Sequence, residues 1–431
     1  MFGKNDNLRN RFEMKQALGK GATGEVHLAF DAYLQRDVAV KFTRSNLFDD
    51  PEEGLRNRKM WLNETRLAGK LQHPFIAQVY EAGSTEEFDY LVMEYVAGGT
   101  LKQFISFDNL LPVDRLIDIL YKVCNALDYA NKMGVLHRDI KPANVLVGEN
   151  GIVKVSDFGA AYYTDSETTQ VGTVGTLPFM APELFRQARP TLQSDVYTVG
   201  VMAYQLLTGR FPFTADSHET LVYQKLHGEA LPLEKRRHDI PQALRFAVHR
   251  AMHKDKESRY SSWKAFCDDL AVALPRVSMP EDARFDSSRF NILRNLSFFS
   301  EFSDTEVWET VGISRWQNCA VEETIVREGE TGSSLFIITC GDVVVTKGGV
   351  ELSIMSTGDS FGEMVYLDKS QQTRSATVTA ATNLCIIEIG GEFLHQATDA
   401  LQACFALAFI TIMVARLRNT DQRLISVLGM V

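Results

Sequence analysis

Four short stretches in the first half of the chain carry residues suited to moving a phosphoryl group. Gly19-Lys-Gly21-Ala-Thr-Gly24-Glu-Val26 lies between two strand-like runs, where glycines let backbone N–H groups close over phosphates. Lys41 follows in Val38-Ala-Val-Lys41, and a strand there would fix an ammonium near the α- and β-phosphates. Next come His137-Arg138-Asp139-Ile-Lys141-Pro-Ala-Asn144 and, thirteen residues after Asn144, Asp157-Phe158-Gly159; Ala181-Pro182-Glu183 follows these four. Phosphoryl transfer asks for positioning and charge neutralisation more than covalent chemistry. The glycines or the strand lysine alone are weak signals, since a strand lysine is ordinarily a solvated side chain. The four in this order are a strong one.

A second kit sits near the end. Phe361-Gly362-Glu363 and, eleven residues on, Arg374-Ser375 combine a glycine-turned backbone, one carboxylate and one guanidinium. That set suits a cyclic phosphodiester: the guanidinium forks onto anionic oxygens, exposed N–H groups add to it, and the glutamate accepts from a ribose hydroxyl.

Together the first stretches resemble the eukaryotic-like protein kinase family over about residues 11–275. The resemblance implies ATP and Mg²⁺ or Mn²⁺ as cofactors and a protein hydroxyl as acceptor. It makes Asp139 the base, Lys141 the contact to the γ-phosphate, and Asn144 and Asp157 the metal ligands. Glu64 takes the place of the helix glutamate that pairs with Lys41, with Glu52 and Glu53 as competitors. Glu94 and Val96 offer hinge backbone to adenine behind Met93, and Val26, Ala39 and Leu146 sandwich the ring. Asp195 and the Arg259–Glu183 pair read as architecture. Lys141, with Thr176 before Pro178, points to the Ser/Thr branch. The hydroxyl-rich stretch before Thr176 offers Thr168, Thr169 and Thr173 as autophosphorylation sites, to dock on a basic pocket at Arg138.

The second kit resembles the phosphate-binding cassette of cyclic-nucleotide-binding domains, over about residues 290–395. It implies cyclic AMP or cyclic GMP as effector, held by Gly362, Glu363, Arg374 and Ser375. If the roll served only for docking or dimerisation, Arg374 would be an ordinary surface charge. Val365 and Tyr366 replace the small or plain aliphatic residues of that family.

The elements that must position these residues follow. Residues 11–96 alternate in short strand-like runs, apart from a helical stretch near Leu55–Leu71, and 97–275 turn mainly helical. Residues 276–289 read as a linker. Short strands then suggest a β-roll within 290–395, and 396–431 as a helical segment, with a capping box at Asp399 and Gln402 and a helix over about Ala400–Arg423. The expected class is α+β: a bilobal fold, then a roll and a terminal helix. That helix is apolar almost all round, so burial on several sides or a homodimer is expected.

At 431 residues, 45% hydrophobic and 23% charged, the chain is long enough for two or three domains. A net charge of -10 without a basic run argues against nucleic acid. Six scattered cysteines, no apolar leader and a longest apolar run of thirteen residues suggest a cytoplasmic protein without a membrane span. The leading reading is a kinase set in cis by a cyclic nucleotide. The alternatives are a catalytically idle nucleotide-sensing scaffold, and an active kinase whose roll only dimerises.

Overall fold

In the computed structural model the chain forms two compact units, residues 1–275 and 276–431. The structure describes residues 8, 11–20, 24–44, 65, 69–85, 88–158, 177–273, 286–364 and 373–428. Gly21, Glu64, Thr168, Thr169, Thr173, Thr176, Val365, Tyr366 and most of the expected linker lie outside them, as do nearly all of the helical stretch near Leu55–Leu71 and its competing glutamates.

The first unit opens with β1 (Phe12–Lys20), β2 (Gly24–Asp31), β3 (Arg36–Arg44), β4 (Val79–Ser84) and β5 (Phe88–Glu94). They pair antiparallel in the order β1-β2-β3-β5-β4. Alternation does this: Val38, Val40, Val92 and Tyr90 share a core face with Phe12, Ala29 and Phe88. Register sets Lys41 opposite Val26 on one side and Leu91 on the other. Gly24 faces Thr43, and a Cβ on it would lie 1.8 Å from the Phe42 carbonyl oxygen, so only glycine allows this strand approach.

The second lobe is helical: α1 (Val113–Lys132), α2 (Leu192–Thr208), α3 (His218–His227), α4 (Gln242–Ala251) and α5 (Trp263–Ala273), with the small β6 (Val145–Val147) and β7 (Val153–Val155) hairpin. Thr191 and Ser194 form a capping box at the start of α2, and Gly209, at φ +70°, ends it. Buried from Ser194 to Thr208, α2 is the central helix of this lobe.

The second unit begins with α6 (Asp286–Arg294) and α7 (Asp304–Ile313). The expected linker therefore ends earlier than residue 289. Polar Asp286-Ser-Ser-Arg289 reads as linker, yet Ser287, Phe290 and Leu293 are its buried face, and Phe290 stacks on Trp308 of α7 at 4.3 Å. Eight strands follow: β8 (Arg315–Cys319), β9 (Thr324–Val326), β10 (Ser334–Cys340), β11 (Asp342–Lys347), β12 (Val350–Ser356), β13 (Ser360–Phe361), β14 (Thr377–Ala380) and β15 (Leu384–Gly390). They form two four-stranded sheets, β13-β10-β15-β8 and β12-β11-β14-β9, around a shared core that includes Phe336, Ile338, Val343, Val378 and Ile386.

After the short α8 (Gly391–Gln396), α9 runs from Asp399 to Leu428, five residues beyond the expected end. Its cap is Thr398, not Asp399: the Thr398 hydroxyl accepts from Leu401 N–H, while Glu309 holds the Thr398 N–H and hydroxyl at 2.8 and 2.7 Å. Leu401, Phe405 and Phe409 are buried, but Leu407, Ile410, Val414 and Leu417 are exposed, so within this chain α9 is covered along one stripe only over the residues described to Arg418. The thirteen-residue estimate of its apolar length was also short. A helix tolerates isolated polar residues, and Asp399–Arg418, 20 residues with mean hydropathy 1.9, is long and apolar enough to cross a membrane by length and composition.

Candidate active site

Between α1 and β6 the chain makes a loop whose backbone is held by one carboxylate. Asp195, in the first turn of α2, accepts from His137 N–H at 2.8 Å and from Arg138 N–H at 2.9 Å. Arg138 (φ +65°) and Asp157 (φ +63°) are both left-handed, costing about 1–3 kcal/mol each unless the surroundings enforce it. The enforcement is visible. His137 is fully buried, its Nε2 lies 2.9 Å from the Ser156 carbonyl, and its Nδ1 accepts from Asp139 N–H. This pattern places the ring proton on Nε2 and ties the residue before Asp157 to the loop carrying Asp139. Burial raises the Asp195 carboxyl above the ordinary carboxylate range, against the pull of His137 and those two N–H donors.

The charged side chains then gather in pairs. Lys41 Nζ lies 2.5 Å from Asp157 Oδ1, and Lys141 Nζ lies 2.6 Å from Asp139 Oδ2. Asn144 donates from Nδ2 to the Asp139 carbonyl at 2.8 Å and to Asp139 Oδ2 at 3.1 Å, which leaves its amide oxygen turned elsewhere. Burial would raise the Asp157 carboxyl, but Lys41, with smaller help from His137 and Lys141, outweighs it and holds the group below the usual range. The lobes thus bring together the expected ammonium, base and metal ligands. Asn144 and Asp157 supply hard oxygens, the donor type that Mg²⁺ takes alongside phosphate oxygens. Among the described residues no cluster of three or more His, Cys, Asp or Glu forms a metal site.

Around this centre, Ala39 pairs with Met93 across β3 and β5, and Leu146 bridges to Thr100 after the hinge. Glu94 N–H is taken by the Gln78 carbonyl, and its carboxylate pairs with Lys154 at 2.9 Å. Any hinge bond from residue 94 to adenine therefore falls to its carbonyl, with Val96 beyond it. Gly19 has open space where a Cβ would be.

Arg259 grips Glu183 with two nitrogens, at 2.9 and 2.8 Å, and also donates to the carbonyls of Gln193 and His253. Nothing in the sequence singled out Lys225, which is fully buried and donates to the Met180 carbonyl at 3.0 Å. Burial, then Lys254 and Arg259, push its ammonium down to about 7.

In the second unit a cavity of about 510 Å³ is walled by Leu352 and Ile354 of β12, the Gly362–Glu363 turn, Arg374, Ser375 and Arg416 of α9. Arg374 is not a surface charge. It is 9% exposed, its Nη1 meets the Gly362 carbonyl at 3.3 Å, and among the described residues no carboxylate comes within ion-pair distance of it. Burial lowers its guanidinium from the ordinary value. Two glycines make its room: a Cβ on Gly332 or Gly362 would sit 2.8 Å from a guanidinium nitrogen. Gly362, at φ +82°, is also left-handed. A buried cation in a glycine cradle fits an anionic phosphodiester. Ser375 is exposed at the same rim, and Glu363 is 2% exposed.

Comparison with known proteins agrees with both sites. Residues 317–400 match the cyclic nucleotide-binding domain. Serine/threonine-protein kinase PknB of Mycolicibacterium smegmatis is 38% identical over 271 residues, 61% of this chain and 43% of that protein. A probable PknB of Bifidobacterium longum is 36% identical over 273 residues, 60% of this chain and 39% of that one. The chain thus spans under half the length of these relatives. A crystal structure of Rad53 1-466 in complex with AMP-PNP superposes with a TM-score of 0.51 and 26% identity, covering 61% of this chain and 65% of that one. With residues 12–270, well over half its length, matching the protein kinase domain, the chain belongs to the protein kinase family.

Proposed function

We propose that this chain is an ATP-dependent protein serine/threonine kinase whose activity is set in cis by a cyclic nucleotide in the C-terminal roll. The observation that carries the catalytic half is the convergence of Lys41 on Asp157 beside Asp139, Lys141 and Asn144. A substrate Ser or Thr hydroxyl oxygen bonds to the γ-phosphorus, the bond to the bridging oxygen breaks, and ADP leaves. Asp139 orients that hydroxyl and takes its proton. Lys141, now on Asp139, is within reach of the transferred group and offsets its charge, while Lys41 neutralises the nonreacting phosphates. Asn144 and Asp157 would hold Mg²⁺, which supplies charge neutralisation along the phosphates.

The regulatory half rests on Arg374, a buried cation without a carboxylate partner among the described residues. A cyclic phosphodiester monoanion is its natural complement. Autophosphorylation at Thr168, Thr169 or Thr173 belongs to the same reading, supported by the hydroxyl-rich sequence there. The exposed Leu407, Ile410, Val414 and Leu417 face of α9 suits a second copy, and six free thiols suit a reducing cytoplasm.

The test is purified chain with γ-labelled ATP, Mg²⁺ and a generic Ser/Thr-containing protein, with and without cyclic AMP or cyclic GMP. Label on serine or threonine, lost in Asp139→Asn and changed in rate by one of the nucleotides, is expected. Label unaffected by Asp139→Asn would remove the catalytic reading. A rate indifferent to both nucleotides would remove the regulatory one.

A further inference from the structure

Glu363 is the pocket's one buried carboxylate among the described residues, and α9 has already taken hold of it. Arg416 Nη1 lies 2.5 Å from Glu363 Oε1, and its Nη2 donates to the Ser360 carbonyl, also at 2.5 Å. The second oxygen, Oε2, is buried and has no hydrogen-bond donor among the described residues. Glu363 is 2% exposed and the Arg416 side chain 44%, so the guanidinium lies between the carboxylate and solvent, at the wall of the cavity. A ligand hydroxyl that seeks this carboxylate meets Arg416 first.

The way α9 is anchored gives that contact mechanical weight. Its first turns are pinned by Phe405 and Phe409 in an aromatic cluster with Phe298, Phe299 and Phe302, at centroid distances of 5.3 to 6.5 Å, and by the Thr398–Glu309 clasp. Over residues 410–418 the helix is mostly exposed, with Ile410, Val414 and Leu417 facing outward, and Arg416 ties this outer part to the roll.

We infer that Arg416 is an internal competitor for the hydroxyl-reading carboxylate: a nucleotide with a free ribose hydroxyl binds by replacing Arg416 on Glu363, and so releases the outer half of α9. The inference rests on the reading of the roll as a cyclic-nucleotide site. Charge allows the exchange. Arg374 has no carboxylate partner among the described residues, and a phosphodiester monoanion on it supplies the charge that pairs with its guanidinium. Glu363 then accepts from the hydroxyl in place of the guanidinium, and Arg416 moves into solvent, where its charge is well hydrated. Binding and helix release are linked because both act on one carboxylate.

The experiment uses the full chain, wild type, Arg416→Ala and Glu363→Gln. Calorimetry with cyclic AMP, cyclic GMP and their 2′-deoxy analogues is combined with amide hydrogen exchange across residues 410–418, with and without ligand. Arg416→Ala should bind the ribonucleotide about tenfold tighter, with little gain for the deoxy analogue. Without ligand it should already exchange as fast at 410–418 as ligand-saturated wild type. Glu363→Gln should loosen the same segment and lose the preference for a ribose hydroxyl. Unchanged or weaker binding by Arg416→Ala, with wild-type exchange at 410–418, overturns the inference. If wild type binds none of these nucleotides, the reading of the pocket fails instead. The ligand-free exchange of Arg416→Ala then still decides whether the latch exists: protection equal to wild type overturns it.

Discussion

The two units each hold a site for phosphate, and they prepare for it in opposite ways. At the first unit's site both lysines are matched by a carboxylate, Lys41 with Asp157 and Lys141 with Asp139, and all four side chains are about one quarter exposed. In the second, Arg374 is buried without such a match among the described residues, while the nearby carboxylate has been taken by Arg416. Partly exposed pairs exchange partners readily, because solvent screens the change. A buried, unmatched guanidinium can only be completed by an anion from outside. The first arrangement suits a site that must bind, transfer and release on every cycle. The second suits a site that reports occupancy.

Mutation of the first site should give the largest effect. Asp139→Asn keeps shape and hydrogen bonding but removes the proton acceptor, and kcat should fall about 10²- to 10⁴-fold with little change in KM for ATP. A variant that keeps more than a tenth of wild-type kcat would mean the pair with Lys141 is architectural, and the contrast between the units would blur. Next in size is Arg259→Ala, which strands the Glu183 carboxylate among buried groups. Removal of one partner from a buried pair costs about 3–5 kcal/mol, read as a lower denaturant midpoint for the first unit. A loss below about 1 kcal/mol would place this pair with ordinary surface bridges.

Arg374→Ala should weaken cyclic-nucleotide binding about 10- to 100-fold, the loss of charge-assisted bonds to a phosphate. Equal affinity in wild type and variant would show that its burial serves the fold rather than a ligand.

The smallest effect is a slope. The Lys225 ammonium ionises near 7 in the folded unit against an ordinary 10.5, because burial, Lys254 and Arg259 disfavour its charge. Between those values the unfolded chain binds more protons, so stability climbs as pH rises through that window, by at most about 1.4 kcal/mol per pH unit. Lys225→Met should flatten the rise of the denaturant midpoint between pH 7 and 9. An unchanged slope would assign the rise to other groups.

What the sequence revealed and what it hid divide along the same physical line. Motifs held within one loop, such as His137–Asn144 or Gly362–Glu363, are legible because a short loop fixes their geometry locally. Asp195 and Arg259 were legible through family resemblance, and the structure brings them onto the backbone of His137 and onto Glu183. Arg416 stayed invisible: it lies 53 residues from Glu363, and an arginine beside others near the end of an apolar stretch carries no pattern. Lys225, 45 residues from the Met180 carbonyl, is hidden in the same way. How α9 is covered within this chain was not legible, because composition gives its apolar residues but not the neighbours that cover them. The short α6 was missed because its buried face, Ser287, Phe290 and Leu293, is spread among polar residues.

The most direct measurement is single-turnover transfer of γ-labelled phosphate from ATP–Mg²⁺ to a protein acceptor, comparing wild type with Asp157→Asn. If Lys41, Asp157 and Asp139 form one phosphoryl-transfer centre, wild type labels serine or threonine and the variant does not, although both still fold and bind acceptor. Equal labelling by the two proteins, or none by wild type, would contradict the account.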